Sequence, residues 1–122
     1  EVSEEHAPEN LSKKEIEKVK DIEGEKIESR IKDSYVIALA IKGVTFTSKE
    51  FANKIEDIKT YNSSHITFII GGSLGLSNSL LRKADLLMSF SELTFPHQLM
   101  RLILLEQVYR SFRINNNEPY HK

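Results

Sequence analysis

The residues best equipped for chemistry stand at the very end of the chain, in Glu118-Pro119-Tyr120-His121-Lys122. Tyr120 offers a ring for stacking, His121 an imidazole that exchanges protons near neutral pH, and Lys122 a positive charge. Tails of this kind are also commonly disordered, and the two readings stand side by side. Two loops add to them. GGSLGL, residues 71–76, places Gly71, Gly72 and Gly75 directly after an apolar run. That is either a tight turn or a place where a ligand approaches the backbone closely. Neither G-x-G-x-x-G nor G-x-x-x-x-G-K-[ST] is present and no lysine follows, so a flat adenosine group suits the loop better than a triphosphate. FSELTF, residues 90–95, offers the Ser91 and Thr94 hydroxyls and a row of backbone groups. These can hydrogen-bond an adenine edge, or cap the helix that follows.

Arg101 interrupts an apolar run, so its charge must be paired or serve a site. An ion pair with Glu106 or across an interface competes with a substrate role. Glu106, Arg110 and Arg113 form the polar stripe of the same helix, and the two arginines suit either solvent or RNA phosphates. His6, His65, His97 and His121 contain no i,i+4 pair and no H-E-x-x-H, so no metal set is read. His65 is read as strand-edge packing and His97 as a cap in a helix first turn. G-x-S-x-G is absent, and no Ser-His-Asp order is suggested.

The elements that must position these groups alternate. Residues 1–10 read as a loop or strand end, and Ser12 with Glu15 as a possible capping box opens a charged helix. Ile16, Val19, Ile22/Glu23, Lys26/Ile27 and Ile31 keep one narrow face at helical spacing. Gly24 weakens that helix by about 1 kcal/mol relative to alanine. Tyr35–Ile41 reads as a buried strand ended by Lys42-Gly43. Ser48 is expected to cap a helix to about Tyr61, with Phe51, Ile55 and Ile58 inward. His65–Ile70 is a second strand, Asn78–Ala84 a helix, and Asp85–Phe90 a third strand. Strand–helix alternation predicts an α/β fold, a parallel sheet with right-handed crossovers flanked by helices. In such sheets ligands bind beyond the carboxyl ends of the strands. Those ends are Leu39 to Gly43, Gly71 to Leu76, and Phe90 to Phe95, which predicts one shared pocket. Pro96 suits the first turn of a last helix, with Ser91 or Thr94 capping it. Leu99, Met100, Leu102, Ile103, Leu104, Leu105, Val108, Tyr109 and Phe112 make that helix apolar almost all round. It is therefore expected to pack on the sheet by one face and on a second copy of the chain by another. Arg101 and Glu106 and its short length exclude a membrane span. Asn115–Lys122 should be irregular.

The 122 residues suit one domain, taken as 1–122, with room for a real core. Without cysteine there is no disulfide frame and no thiol nucleophile, and no signal peptide is seen, so an intracellular, cytoplasmic protein is the expectation. The net charge of -1 hides an asymmetry: residues 1–33 carry 11 acidic and 7 basic groups, residues 34–122 carry 7 and 10. A nucleic-acid partner would need a local patch in the C-terminal part.

GGSLGL, SFSELTFPHQLMRLILLEQVYR and the terminal YHK, read in this order, resemble the large-subunit ribosomal RNA methyltransferase H family. The resemblance extends over nearly the whole chain, the APENLSKKEIEKVK region included. It implies a SPOUT-class, trefoil-knotted α/β fold, S-adenosylmethionine as methyl donor, and a homodimer. The implied substrate is a pseudouridine of 23S rRNA, methylated at N3 in the assembled ribosome. Matched by position, the implied cofactor residues are Leu39, Gly71, Phe90, Ser91, Glu92, Leu93, Thr94 and Phe95. The tail is implied to reach the active site, making Tyr120, His121 and Lys122 catalytic candidates with Arg101, and His121 the first choice for proton handling. Arg110 and Arg113 become substrate-phosphate candidates, and no metal is needed. Family members begin with an additional strand, helix and most of a second strand, which this sequence lacks, so the chain is read as part of a longer protein. A catalytically silent cofactor-binding or dimerisation module of the same fold is the alternative. A generic nucleotide-binding α/β protein is argued against by the missing phosphate motifs.

Overall fold

The computed structural model describes residues 12–31, 33–71 and 75–122. Residues 1–11, His6 among them, and residues 72–74 of the glycine stretch lie outside the described residues. The elements run α1 (Lys13–Glu28), β1 (Tyr35–Val44), α2 (Ser48–Tyr61), β2 (Ile66–Ile69), α3 (Asn78–Lys83), β3 (Leu86–Met88) and α4 (His97–Asn115). β1 is central in a sheet of order β2-β1-β3, with both neighbours parallel to it. Among the described residues no helix is long and apolar enough to cross a membrane.

Period-two alternation along β1 builds two cores. Ile37 and Leu39 point to one face, where Phe51, Ile55 and Ile58 of α2, Met88 and Leu104 of α4 meet them. Val36 and Ala38 point to the other, against Ile69, Leu76 and Leu80, with Ile27 of α1 and Ile31 just beyond its end packed beside them. Full burial of residues the size of Phe51 and Ile58 stabilises by roughly 1.5–3 kcal/mol each. The expected inward face of α2 is therefore the observed one.

Each helix start has its own reason. Ser12 Oγ accepts from Glu15 N at 3.2 Å and caps α1 as expected. α2 begins one residue earlier than expected: Thr47, not Ser48, is its N-cap, with a reciprocal capping box to Glu50. Ser48 Oγ instead donates to Gln107 Oε1 of α4 at 3.0 Å. Neither Ser91 nor Thr94 caps α4. Pro96 itself takes the N-cap position without a side-chain bond, and Ser91 Oγ accepts from Leu93 N at 3.0 Å within the loop.

Two glycines mark close approaches. Gly24 is buried, and a Cβ there would lie 2.6 Å from Ser77 Oγ, the cap of α3. The propensity lost in α1 lets it settle onto α3. Lys42-Gly43 does not end β1, which continues to Val44 and hydrogen-bonds onward, Ser89 N donating to Val44 O at 2.9 Å. A Cβ on Gly43 would meet Met88 C at 2.6 Å and Leu87 C at 2.7 Å, so only glycine lets β1 pass this close to β3.

α4 divides its surface as its composition demands. Met100, Leu104 and Val108 pack on the sheet side. Leu99, Leu102, Leu105, Tyr109 and Phe112 remain exposed, Leu102 by 64%. The helix runs through Asn115 and the residues after it are not loose. Asn117 adopts φ 56°, Asn117 N donates to Ile114 O at 3.0 Å, and Glu118 N donates to Arg113 O at 2.8 Å. This is a Schellman stop, which asparagine tolerates, and it turns the chain back along α4.

Gly43→Ala is expected to destabilise the protein by about 1–3 kcal/mol through overpacking against β3, read as a lower urea midpoint. An unchanged midpoint would mean that β1 does not pass that close.

Candidate functional site

Strand register decides where the site lies. Ala38 pairs with Ile69, two residues before Gly71, and Leu39 pairs with Met88, two residues before Phe90. The carboxyl ends of all three strands therefore share one edge of the sheet, and with them Leu39, Gly71 and the 90–95 loop. Leu39 is 9% exposed and its side chain belongs to the core, so it holds the edge rather than reaching out from it.

The rim above that edge is built from backbone. A Cβ on Gly71 would come within 3.0 Å of Gly75 C and 3.1 Å of Leu76 Cγ, so the two arms of the glycine loop close on each other there. Gly75 has φ 86° and open space where a Cβ would stand. Opposite, Ser89 is buried and its Oγ donates to Ser91 O at 3.0 Å, which tightens the loop at its root. Phe90 packs against the core, Glu92 and Thr94 are exposed, Phe95 is half-buried, and Leu93 is 68% exposed.

The best-formed cavity, about 440 Å³, is not centred on that rim. It runs between α1, the outer side of β2 and the first half of α4, with Ile27, Phe68, Ile70, Gly71, Arg101 and Leu104 in its wall. It takes in Gly71 and Arg101 of the expected set but neither Leu39 nor the 90–95 loop. His97, expected as a cap, also lines it, while His65 is exposed and contributes its carbonyl to Tyr35 N at 2.9 Å. Among the described residues no group of three or more His, Asp or Glu could hold a metal ion.

The tail forms the second polar centre. Glu106 Oε1 accepts from Arg110 Nη2 at 2.5 Å and from Arg110 Nε at 3.0 Å, and from Tyr120 Oη at 3.2 Å. Arg110 Nη1 lies 3.1 Å from His121 Nδ1, and its guanidinium stacks 4.8 Å from the Tyr120 ring. Tyr109 and Tyr120 meet at 5.1 Å between centroids. Arg113 Nη1 donates to Tyr109 Oη at 2.7 Å, and its Nε lies 2.7 Å from Glu118 Oε2 without its N–H pointing along that contact. Lys122 is exposed. The hydrogen bond from Arg110 pulls the Glu106 carboxyl below the usual range, outweighing the opposite pull of burial, with the Tyr120 hydrogen bond and the Arg110 charge adding to it. Glu106 in turn raises Arg110.

Thus the structure gathers Tyr120, His121, Arg110 and Arg113 in one cluster, and Leu39, Gly71 and residues 90–95 along one strand-end edge. Gln107 accepts from Ser48 at the start of α2 and donates to Glu106 Oε2 at 3.0 Å, which ties α2 to the anchor of the tail. Sequence reasoning nominated the tail residues but not what holds them. The i,i+4 spacing of Glu106 and Arg110 and the asparagine run after α4 were the available signals.

Residues 1–121 match the family described as predicted SPOUT methyltransferase. The chain is 59% identical over 123 residues to a ribosomal RNA large subunit methyltransferase H of Clostridioides difficile, covering 100% of this chain and 77% of that protein. The protein of the same name from Lactobacillus acidophilus is 57% identical over 122 residues, covering 99% and 77%.

The lowered Glu106 carboxyl has a consequence for stability. A depressed folded-state pKa stabilises above the unfolded value of about 4.3 and loses that contribution as pH falls through the folded value. Glu106→Gln should therefore melt below the wild type at neutral pH, the gap closing as acid protonates Glu106. A pH-independent gap in melting temperature would show that the ion pair is not its source.

Proposed function

Because the chain belongs to the SPOUT methyltransferase family, we propose that it transfers a methyl group from S-adenosylmethionine to N3 of a pseudouridine in 23S ribosomal RNA. The observation that carries this reading is the convergence of Leu39, Gly71 and residues 90–95 on one strand-end edge. The residues present fit an adenosine-bearing group: a backbone rim, open space at Gly75, and an exposed Leu93. When bound, that group supplies an electrophilic methyl, which joins the ring nitrogen as its bond to sulfur breaks and a neutral sulfide remains.

The chain's own residues have simpler tasks. Gly71, Gly75 and the 90–95 loop would hold the adenosine end by backbone contacts and shape, which would align the reacting atoms and exclude water. N3 must first give up its proton, and the resulting anion needs donors or positive charge nearby. Tyr120, His121 and Lys122 of the tail, with Arg101, are the groups we assign to the substrate side. Arg110 and Arg113, assigned from the sequence to RNA phosphates, are engaged by Glu106, His121, Tyr109 and Glu118 in this arrangement. We assign them first to shaping the tail and only at its rim to phosphate.

The exposed stripe of α4 supports a homodimer. Leu99, Leu102, Leu105, Tyr109 and Phe112 recur at spacings of three and four, so they line one side of the helix. A second copy offering the same stripe would cover it by two-fold symmetry. An enzyme acting on assembled ribosomes works where they are, in the cytoplasm.

S-Adenosylhomocysteine at a hundredfold excess over its Kd should stabilise the protein by about 2.7 kcal/mol, seen as a raised melting temperature. Radiolabelled methyl transfer to assembled ribosomes checks the reaction itself. Stabilisation without transfer would leave a silent cofactor-binding module instead. Leu102→Glu combined with Leu105→Glu should convert a dimer into a monomer in sedimentation velocity, and an unchanged dimer would exclude this face of α4.

A further inference from the structure

The contact between the tail and α4 decides which hydrogens His121 carries. A guanidinium has five N–H donors and no acceptor. Arg110 Nη1 lies 3.1 Å from His121 Nδ1, so Nδ1 must present its lone pair and the proton of the neutral ring sits on Nε2. Arg110 is itself held, its Nη2 and Nε both donating to Glu106 Oε1. The Tyr120 hydroxyl donates to that same oxygen, which anchors the residue next to His121. The Schellman stop at Asn117 aims the segment back along the helix.

We propose that His121 acts through Nε2–H as a hydrogen-bond donor to a carbonyl oxygen of the substrate ring, with Arg110 as the positioning residue that sets its tautomer. A ring with Nδ1 occupied and Nε2 protonated has no vacant lone pair, so it cannot take the proton from N3 in this arrangement. That proton passes to solvent. The charge left behind spreads onto the two carbonyl oxygens flanking N3, and a donor at either oxygen stabilises it. Glu106 acts at one remove, by holding Arg110 and Tyr120 together. The proposal rests on the reading that the tail meets the substrate.

Two measurements test it. In the whole wild-type protein at neutral pH, long-range proton–nitrogen NMR of His121 should show Nδ1 unprotonated and Nε2 protonated. Arg110→Met should shift the ring towards a mixture of tautomers. A proton on Nδ1 in the wild type overturns the proposal whatever the activity. The second measurement is kcat on ribosomes. A glutamine accepts from Arg110 through Oε1 and donates through its amide but cannot act as a base. His121→Gln should therefore stay within about tenfold of wild type, while His121→Ala loses on the order of 10²–10³-fold, as removal of an anion-stabilising donor does. If both variants lose equally, the donor role falls and the tail's place at the site stands. If neither loses activity, the tail is not at the site and the proposal falls with that reading.

Discussion

Parallel pairing on both sides of β1 is the constraint from which the rest follows. Parallel neighbours cannot be joined by a tight hairpin, so the chain must cross over between strands, and helices make the crossings. Every strand then ends on the same edge. Three loops distant in sequence are brought together there. The two cores are a by-product of the same alternation: odd positions of β1 serve α2 and α4, even positions serve α1 and α3. A slip of one residue in β1 would exchange its faces, and both cores would lose their apolar partners at once.

α4 ties the strand-end edge to the tail. Its sheet side is shaped by Met100, Leu104 and Val108, while a polar stripe through Glu106, Arg110 and Arg113 receives the returning chain. The third side is apolar and largely exposed, most of all at Leu102 and Leu105. One helix thus carries a packing surface, a polar anchor and an interface candidate, which explains why its sequence shows no single hydrophobic stripe. Burial alone would have chosen fewer leucines, and charge alone fewer aromatics.

Much of this was legible in the residues. Element order, parallel topology and the inward set Phe51, Ile55 and Ile58 all follow from periodicity and turn residues. What escaped were close-range decisions. Thr47 and Ser48 are both competent caps, and the contact of Ser48 with Gln107, far away in sequence, leaves the cap to Thr47. Gly43 reads as a breaker in isolation, and only the nearness of Leu87 and Met88 makes it part of a strand. The tail's composition suggested disorder because its partners, Glu106, Tyr109 and Arg110, lie ten or more residues upstream. In the candidate site, the strand ends could be named from pattern, but the cavity beside β2 depends on how α1 and α4 flank that strand, which no local spacing encodes.

The reversal at Asn117 makes the final residues a ruler. Two residues separate the left-handed turn at Asn117 from Tyr120, and that count sets the ring beside Glu106 and the imidazole beside Arg110. One inserted or deleted residue would carry every later group past its anchor.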